Sequence, residues 1–247
     1  MRHVRALWRL ARTCLHLAHG MAIVALLWPV LDAIGRQRRI AWWAGKLLRL
    51  MGIHLDAHGL HRPGATLLVA NHVSWLDILA VHAVCPQARF VSKADVRHWP
   101  LLGWMVGAVG TLFIERERKR DALRVVHLTA EALRAGDTVA VFPEGTTGDG
   151  RVLLPFHGNL LQAAIATQTP VQPLALRYSE PGQPISAAAA WVGDSTLVNS
   201  LWAIASADGL VVHVHTLPPE SSAHADRRAL ADHLRQVLAE ALAQHES

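Results

Sequence analysis

Cysteine is nearly absent from this 247-residue chain, which holds two, Cys14 and Cys85, seventy-one positions apart. So sparse a supply excludes a disulfide scaffold and fits a reduced, cytosolic domain. Acid is missing from residues 1–50 except for Asp32, against nine Arg and Lys, which leaves that segment at +8. The remainder carries fifteen basic and eighteen acidic side chains, −3, so the net +5 sits on the N-terminal segment alone. A nucleic-acid binder would place its basic patch on the folded domain, so nucleic acid is excluded as a partner. No Gly-x-Ser-x-Gly turn occurs, which removes a hydrolase built on a nucleophile elbow. Residues 60–247 also lack any internal repeat, low-complexity tract or linker that would divide them.

What is present is apolar. Hydrophobic residues make up 51% of the chain and mean hydropathy is +0.22, the apolar edge of soluble proteins. The length suits one α/β domain with a full core. Twenty-one Arg against three Lys is the imprint of a GC-rich bacterial gene. Nineteen residues between Arg12 and Asp32 carry no Asp, Glu, Lys or Arg, close to the ~20 a spanning helix wants. His16, His19 and Pro29 dilute them, and no clean small-x-small cleavage pattern follows. The flanks are basic on both sides, Arg2, Arg5, Arg9 and Arg12 before and Arg36, Arg38 and Arg39 after, which puts both ends at the cytoplasm. From Ile40 to Leu55, Trp42, Trp43, Leu47, Leu50 and Met51 interleave with Lys46 and Arg49, the pattern of an interfacial amphipathic helix. Residues 1–58 are therefore expected to be membrane-anchoring helices, a hairpin dipping into one leaflet in preference to a single span. The location that follows is the cytoplasmic face of a bacterial inner membrane. Basic residues there gain ~1 kcal/mol each near anionic head groups.

Residues 59–247 are expected to form an α/β domain. After a turn at Arg62-Pro63-Gly64, β-rich runs fall at Thr66–Ala70, Arg89–Ser92, Thr111–Glu115, Thr138–Phe142, Gln172–Tyr178 and Leu210–Thr216. Helical patterns lie near Trp75–Val84, Arg118–Ala135, Gly158–Thr167 and Ala225–Gln244. The alternation predicts a central, mostly parallel sheet covered by helices on both faces.

Four short blocks carry the chemistry. Asn71-His72-Val73-Ser74-Trp75-Leu76-Asp77 follows a strand and opens a helix in a capping-box pattern. His72 thus falls at a strand's end, where α/β sheets place ligands. Asp77, in the first helical turn, is placed to hold an imidazole nitrogen and stabilise the imidazolium. With sixteen histidines in the chain, the His-x4-Asp spacing alone means little, and a turn histidine beside an ordinary first-turn acid is the bland alternative. Backbone N–H groups near Ser74 are the candidates for an oxyanion. The second block, Gly110-Thr111-Leu112-Phe113-Ile114-Glu115-Arg116, delivers Arg116 to a strand's end ahead of Arg118, Lys119, Arg120 and Arg124. Cations at a helix start oppose its dipole; a bound anion would offset that, and a solvated basic face is the plainer account. In the third, Phe142-Pro143-Glu144-Gly145-Thr146, Pro143 ends the strand, Gly145 permits close backbone approach, and Glu144 is either a hydroxyl acceptor or an arginine's partner. The fourth, Val171-Gln172-Pro173-Leu174, reads as a strand start. His54, His58 and His61 have metal-like spacing, but no cysteine lies near them and Gly59 and Pro63 interrupt the loop, so no metal is expected. His213 and His215 alternate along a strand and share a face.

In this order the four blocks resemble those of the bacterial 1-acyl-glycerol-3-phosphate acyltransferases and their wider glycerolipid acyltransferase family, over about Leu67 to Leu174. The resemblance implies transfer of a fatty acyl group from a thioester, acyl-CoA or acyl carrier protein, to the free hydroxyl of a lysolipid at a membrane bilayer, without a cofactor. It implies His72 as general base, Asp77 as its orienting partner and Arg116 on the acceptor's phosphate. Phe113, Glu144, Gly145 and Thr146 would shape the acceptor site, and Lys93, in Ser92-Lys93-Ala94-Asp95 ahead of Trp99-Pro100, would add a cation. One departure stands out. Many members continue the third block with arginine or serine, where this chain has Thr147-Gly148-Asp149-Gly150. That form, with Val192-Gly193-Asp194 and Asp226-Arg227-Arg228, resembles a subgroup that includes ornithine-lipid acyltransferases, whose acceptor carries a carboxylate. Phosphatidate formation is the first expectation, acylation of lyso-ornithine lipid the second, and a non-catalytic membrane lipid-binding protein the third.

Overall fold

Among the described residues seven strands share one sheet: β1 (Ile53–His58), β2 (Thr66–Ala70), β3 (Arg89–Lys93), β4 (Leu112–Ile114), β5 (Thr138–Val141), β6 (Val171–Ser179) and β7 (Leu210–Thr216). This computed structural model describes residues 1–93, 102–114 and 119–244. The sheet runs β1-β7-β6-β2-β5-β3-β4. Neighbours are parallel except β6 and β7, which pair antiparallel. The mostly parallel α/β sheet expected from the alternating pattern is what forms.

Among the described residues eight α-helices accompany it: α1 (Arg2–Leu26), α2 (Ala33–Met51), α3 (Leu76–Val84), α4 (Leu102–Ala108), α5 (Lys119–Arg134), α6 (Gln162–Thr167), α7 (Leu197–Ser206) and α8 (Arg227–Gln244). Alternation along the strands divides the interior. Leu68 and Ala70 of β2 face a core made with Leu47, Leu48 and Met51 of α2, Leu76 and Ala80 of α3, and Ile204 of α7. Leu67 and Val69 face the opposite core, with Leu133 of α5, Ala163 and Ala164 of α6, and Leu230 and Leu234 of α8. Both faces of β2 and β5 are buried, which is why these strands read as unbroken apolar runs.

The N-terminal segment departs from expectation in three respects. The second helix stops at Met51 instead of reaching Leu55, because Gly52 adopts a left-handed conformation (φ +87°) and caps it. Ile53–His58 then joins the sheet as its edge strand, in register with Leu210–His215. Third, arginines expected to flank a lipid-facing segment are engaged by protein. Arg2 donates to the Ser206 carbonyl, Arg9 to those of Ala205 and Ala207, and Arg5 pairs with Asp208 at 2.9 Å. Cations are thus set against the C-terminal carbonyls of α7, the negative end of its dipole. α1 and α2 form a hairpin, held where His16 Nε2 meets the Trp43 carbonyl at 3.0 Å and Trp43 Nε1 donates to the His16 carbonyl at 3.2 Å. Among the described residues no helix is long and apolar enough to cross a membrane.

Candidate active site

β2 ends at Ala70 and the chain crosses to α3 through Asn71–Trp75 at the carboxyl edge of the sheet. The Asn71 side chain pins this turn to β6, donating to the Leu176 carbonyl and accepting from its N–H, both at 2.8 Å. The next residue, His72, keeps 19% of its side chain exposed, while Asp77 has none. His72 Nδ1 lies 2.8 Å from Asp77 Oδ2. A carboxylate only accepts, so Nδ1 carries the hydrogen and the neutral ring leaves its lone pair on Nε2. Among the described residues Nε2 has no hydrogen-bond partner.

Asp77 is itself fully held. Its Oδ2 also accepts from the N–H groups of Val73 (2.7 Å) and Ser74 (2.9 Å), and its Oδ1 accepts from the Tyr178 hydroxyl at 2.7 Å. Two expectations change here. Of the N–H groups near Ser74, proposed for an oxyanion, those of Val73 and Ser74 are already engaged by Asp77. Ser74 is no cap either, since among the described residues its buried Oγ has no hydrogen-bond partner and the carboxylate instead reaches back to its N–H. Burial, with Asp77 alongside, raises the Tyr178 phenol well above its ordinary value. It therefore remains a donor at any usable pH.

The third block closes the site from β5. Phe142 lies flat on the His72 ring, centroids 3.9 Å apart and planes within 8°. Among the described residues no arginine pairs with Glu144. Its two oxygens accept from the N–H groups of His72 (2.8 Å) and Leu154 (2.9 Å). Burial pushes its carboxyl above the ordinary value, against the pull of those two donors. Gly145 turns at φ +73°, and a Cβ there would stand 3.3 Å from His157. Gly145 and Thr146 are both exposed. Gly148 N–H donates to the His72 carbonyl at 2.8 Å, and the Thr147 hydroxyl bonds the Trp191 carbonyl.

Of the second block only residues 110–114 are described, and strand order sets them apart from this turn. Phe113 stands half-buried on β4, with β5 and β3 between that strand and β2. Lys93 ends β3, but its side chain lies outside the described residues, as do Arg116, Arg118, Ala94, Asp95 and Trp99-Pro100.

Residues 54–177 match the acyltransferase family. A lyso-ornithine lipid O-acyltransferase of Pseudomonas aeruginosa is 38% identical over 84% of this chain and 79% of its own length. The chain belongs to the acyltransferase family. A 1-acyl-sn-glycerol-3-phosphate acyltransferase of Neisseria gonorrhoeae is 36% identical over 81% of this acyltransferase and 78% of the relative. The crystal structure of the 1-acyl-sn-glycerophosphate (LPA) acyltransferase PlsC from Thermotoga maritima shares the fold, with a TM-score of 0.71 over 100% of this chain and 98% of that one at 17% identity. The chain is accordingly an O-acyltransferase, and the lipid-binding scaffold weighed above is set aside.

Sequence reasoning passed over Tyr178 and Asn71. Tyr178 is the single tyrosine of the chain, buried on a central strand, where a phenol needs a partner. That rarity was the available signal. Asn71 stood inside the first block without a role.

Proposed function

We propose that this acyltransferase moves a fatty acyl group from a thioester, acyl-CoA or acyl carrier protein, to the free hydroxyl of a lysolipid, with His72 as general base. The observation that carries this reading is the 2.8 Å contact between His72 Nδ1 and a carboxylate that accepts three further hydrogen bonds. It turns the basic nitrogen outward at the carboxyl edge of the sheet.

The donor is already activated, so no enzyme nucleophile is needed. The lysolipid oxygen attacks the thioester carbonyl as His72 Nε2 takes its proton. The tetrahedral intermediate then expels the thiolate, which recovers that proton as a thiol. Asp77 acts as a positioning residue, stabilising the imidazolium between the two transfers. General-base action supplies ~10²–10⁴-fold, and alignment of two bound reactants up to ~7–11 kcal/mol. Arg116, Lys93 and the loop Glu144–Thr146 are assigned to the acceptor side. Glu144 acts there by holding the His72 backbone.

The preferred acceptor is 1-acyl-glycerol-3-phosphate. Lyso-ornithine lipid is the second reading, favoured by one observation: Thr147 and Gly148 bond the Trp191 and His72 carbonyls where many members carry a cation. Relatives in Pseudomonas aeruginosa and Rhizobium meliloti are named lyso-ornithine lipid O-acyltransferases. Each acyl CH₂ leaving the bilayer costs ~0.8 kcal/mol, so an enzyme on these substrates works at the cytoplasmic membrane surface. The apolar face of α1 is assigned to that contact. The test is transfer of a radiolabelled acyl group to lysophosphatidate and to lyso-ornithine lipid, side by side. We expect product from lysophosphatidate, and loss of at least ~10²-fold in His72→Ala. Substantial turnover in that variant would remove the general-base assignment, and preference for the ornithine lipid would reverse the acceptor.

A further inference from the structure

A second histidine–aspartate pair lies on the open edge of the sheet, and the mechanism above does not use it. His213 of β7 and Asp56 of β1 are register partners, with Nδ1 2.9 Å from Asp56 Oδ2. The other ring nitrogen, Nε2, lies 2.8 Å from Ser179 Oγ on β6. The carboxylate can only accept, so Nδ1–H donates to it and Nε2 is left to accept from the serine hydroxyl. Three residues from three adjacent strands therefore sit in the order serine, imidazole, carboxylate. His58 Nε2 braces the second Asp56 oxygen at 2.8 Å. The His213 hydrogen bond holds the Asp56 carboxyl below its ordinary value, so it is ionised when the imidazole needs it. Ser179 is half-buried and its histidine partner 17% exposed, which leaves a shallow approach from solvent.

We propose that Ser179, His213 and Asp56 form a second reactive centre, a serine nucleophile that cleaves short-chain carboxylic esters. Ser179 Oγ attacks the ester carbonyl while His213 Nε2 takes its proton. The carbon–oxygen bond to the alcohol breaks, and the alcohol leaves with that proton. Water then attacks the acyl-serine, giving a proton to Nε2, and the acid departs as Ser179 recovers it. Asp56 stabilises the imidazolium in both halves. Arg177 precedes Ser179 by two residues on the same strand and so projects from the same face. Its Nε is buried without a hydrogen-bond partner among the described residues, and its guanidinium charge lies on the side of the strand where the oxyanion develops. Ser179 alternates with Tyr178 along β6, so this centre and the His72 pair occupy opposite faces of one strand.

The full chain, treated with a fluorophosphonate probe and weighed intact, should gain one adduct that peptide mapping places on Ser179. Ser179→Ala should abolish the adduct and lower p-nitrophenyl acetate hydrolysis at least ~tenfold, with acyl transfer to lysolipid unchanged. His213→Gln should slow labelling by a similar factor while the melting temperature of each variant shows that it is folded. An unlabelled wild-type protein, an adduct elsewhere, or Ser179→Ala hydrolysing the ester at the wild-type rate would overturn the proposal.

Discussion

Tyr178 donates its phenolic hydrogen to Asp77 Oδ1 at 2.7 Å, on the carboxylate oxygen that His72 does not use. The phenol fixes the rotation of a carboxylate with no exposure to solvent, and the carboxylate fixes the imidazole. A long-range contact across 101 positions thus sets the angle of the proposed base. Tyr178→Phe leaves Oδ1 buried with one partner fewer, which costs about 1–3 kcal/mol. We expect denaturant titration to show that loss, with a several-fold lower kcat and an unchanged KM. An unaltered kcat would show that the ring holds its angle without the phenol.

Asp77→Asn keeps the shape and removes the charge. The amide can meet His72 Nδ1 through its oxygen, but it then turns its NH₂ toward the Tyr178 hydroxyl, and no anion remains to stabilise the imidazolium. We expect kcat to fall by roughly 10²–10⁴-fold, with lysolipid affinity retained. A KM effect without a kcat effect would move Asp77 from proton handling to substrate binding.

His82 gives the pH dependence of the fold. It is buried on α3 against Phe90, ring centroids 5.0 Å apart, and among the described residues its Nδ1 has no hydrogen-bond partner. Burial lowers its pKa from 6.5 to about 4, so the folded state holds the ring neutral. As pH falls between those values the unfolded chain takes up the proton first. The contribution is therefore whole above the ordinary histidine value and is lost on the acid side, by up to about 3 kcal/mol. His82→Leu should flatten that limb of the stability curve, measured by urea unfolding at a series of pH values. An equally steep limb in the variant would assign acid sensitivity to another group.

These elements were unequally visible in the sequence. β2 and β5 announced themselves because both faces are buried and their residues form unbroken apolar runs. β1 did not, because Ile53, Leu55 and Ala57 alternate with His54, Asp56 and His58 directly after a helical pattern, and only Gly52 marks the change of period. α7 was missed because Leu197–Ser206 is a short, mostly apolar run after a Gly- and Ser-bearing loop, and such a run does not by itself separate a helix from a strand. Within the site, the His72–Asp77 pair is local in the chain and could be read there. Tyr178 and Glu144 join it by strand order, as do Ser179 and Asp56 with His213, and strand order is decided by packing of the whole sheet.

The proposed membrane contact rests on α1. Val4, Trp8, Leu15 and Leu26 are spaced by four, seven and eleven residues and so share one face; all are well exposed, Trp8 at 62% and Leu15 at 72%. Water gains nothing from such a stripe, and no other described element covers it. Deleting α1 and α2 would be a poor test, because Leu47, Leu48 and Met51 belong to the main core. Trp8→Glu with Leu15→Glu changes only exposed positions. Each substitution removes an apolar side chain worth about 1.5–3 kcal/mol when buried, so co-sedimentation with anionic liposomes should weaken at least ~tenfold per site. Acyl transfer to detergent-dispersed lysolipid should persist, since both side chains are exposed on α1 and neither is among the partners of His72. Undiminished liposome binding by the double variant would place the membrane contact elsewhere on the surface.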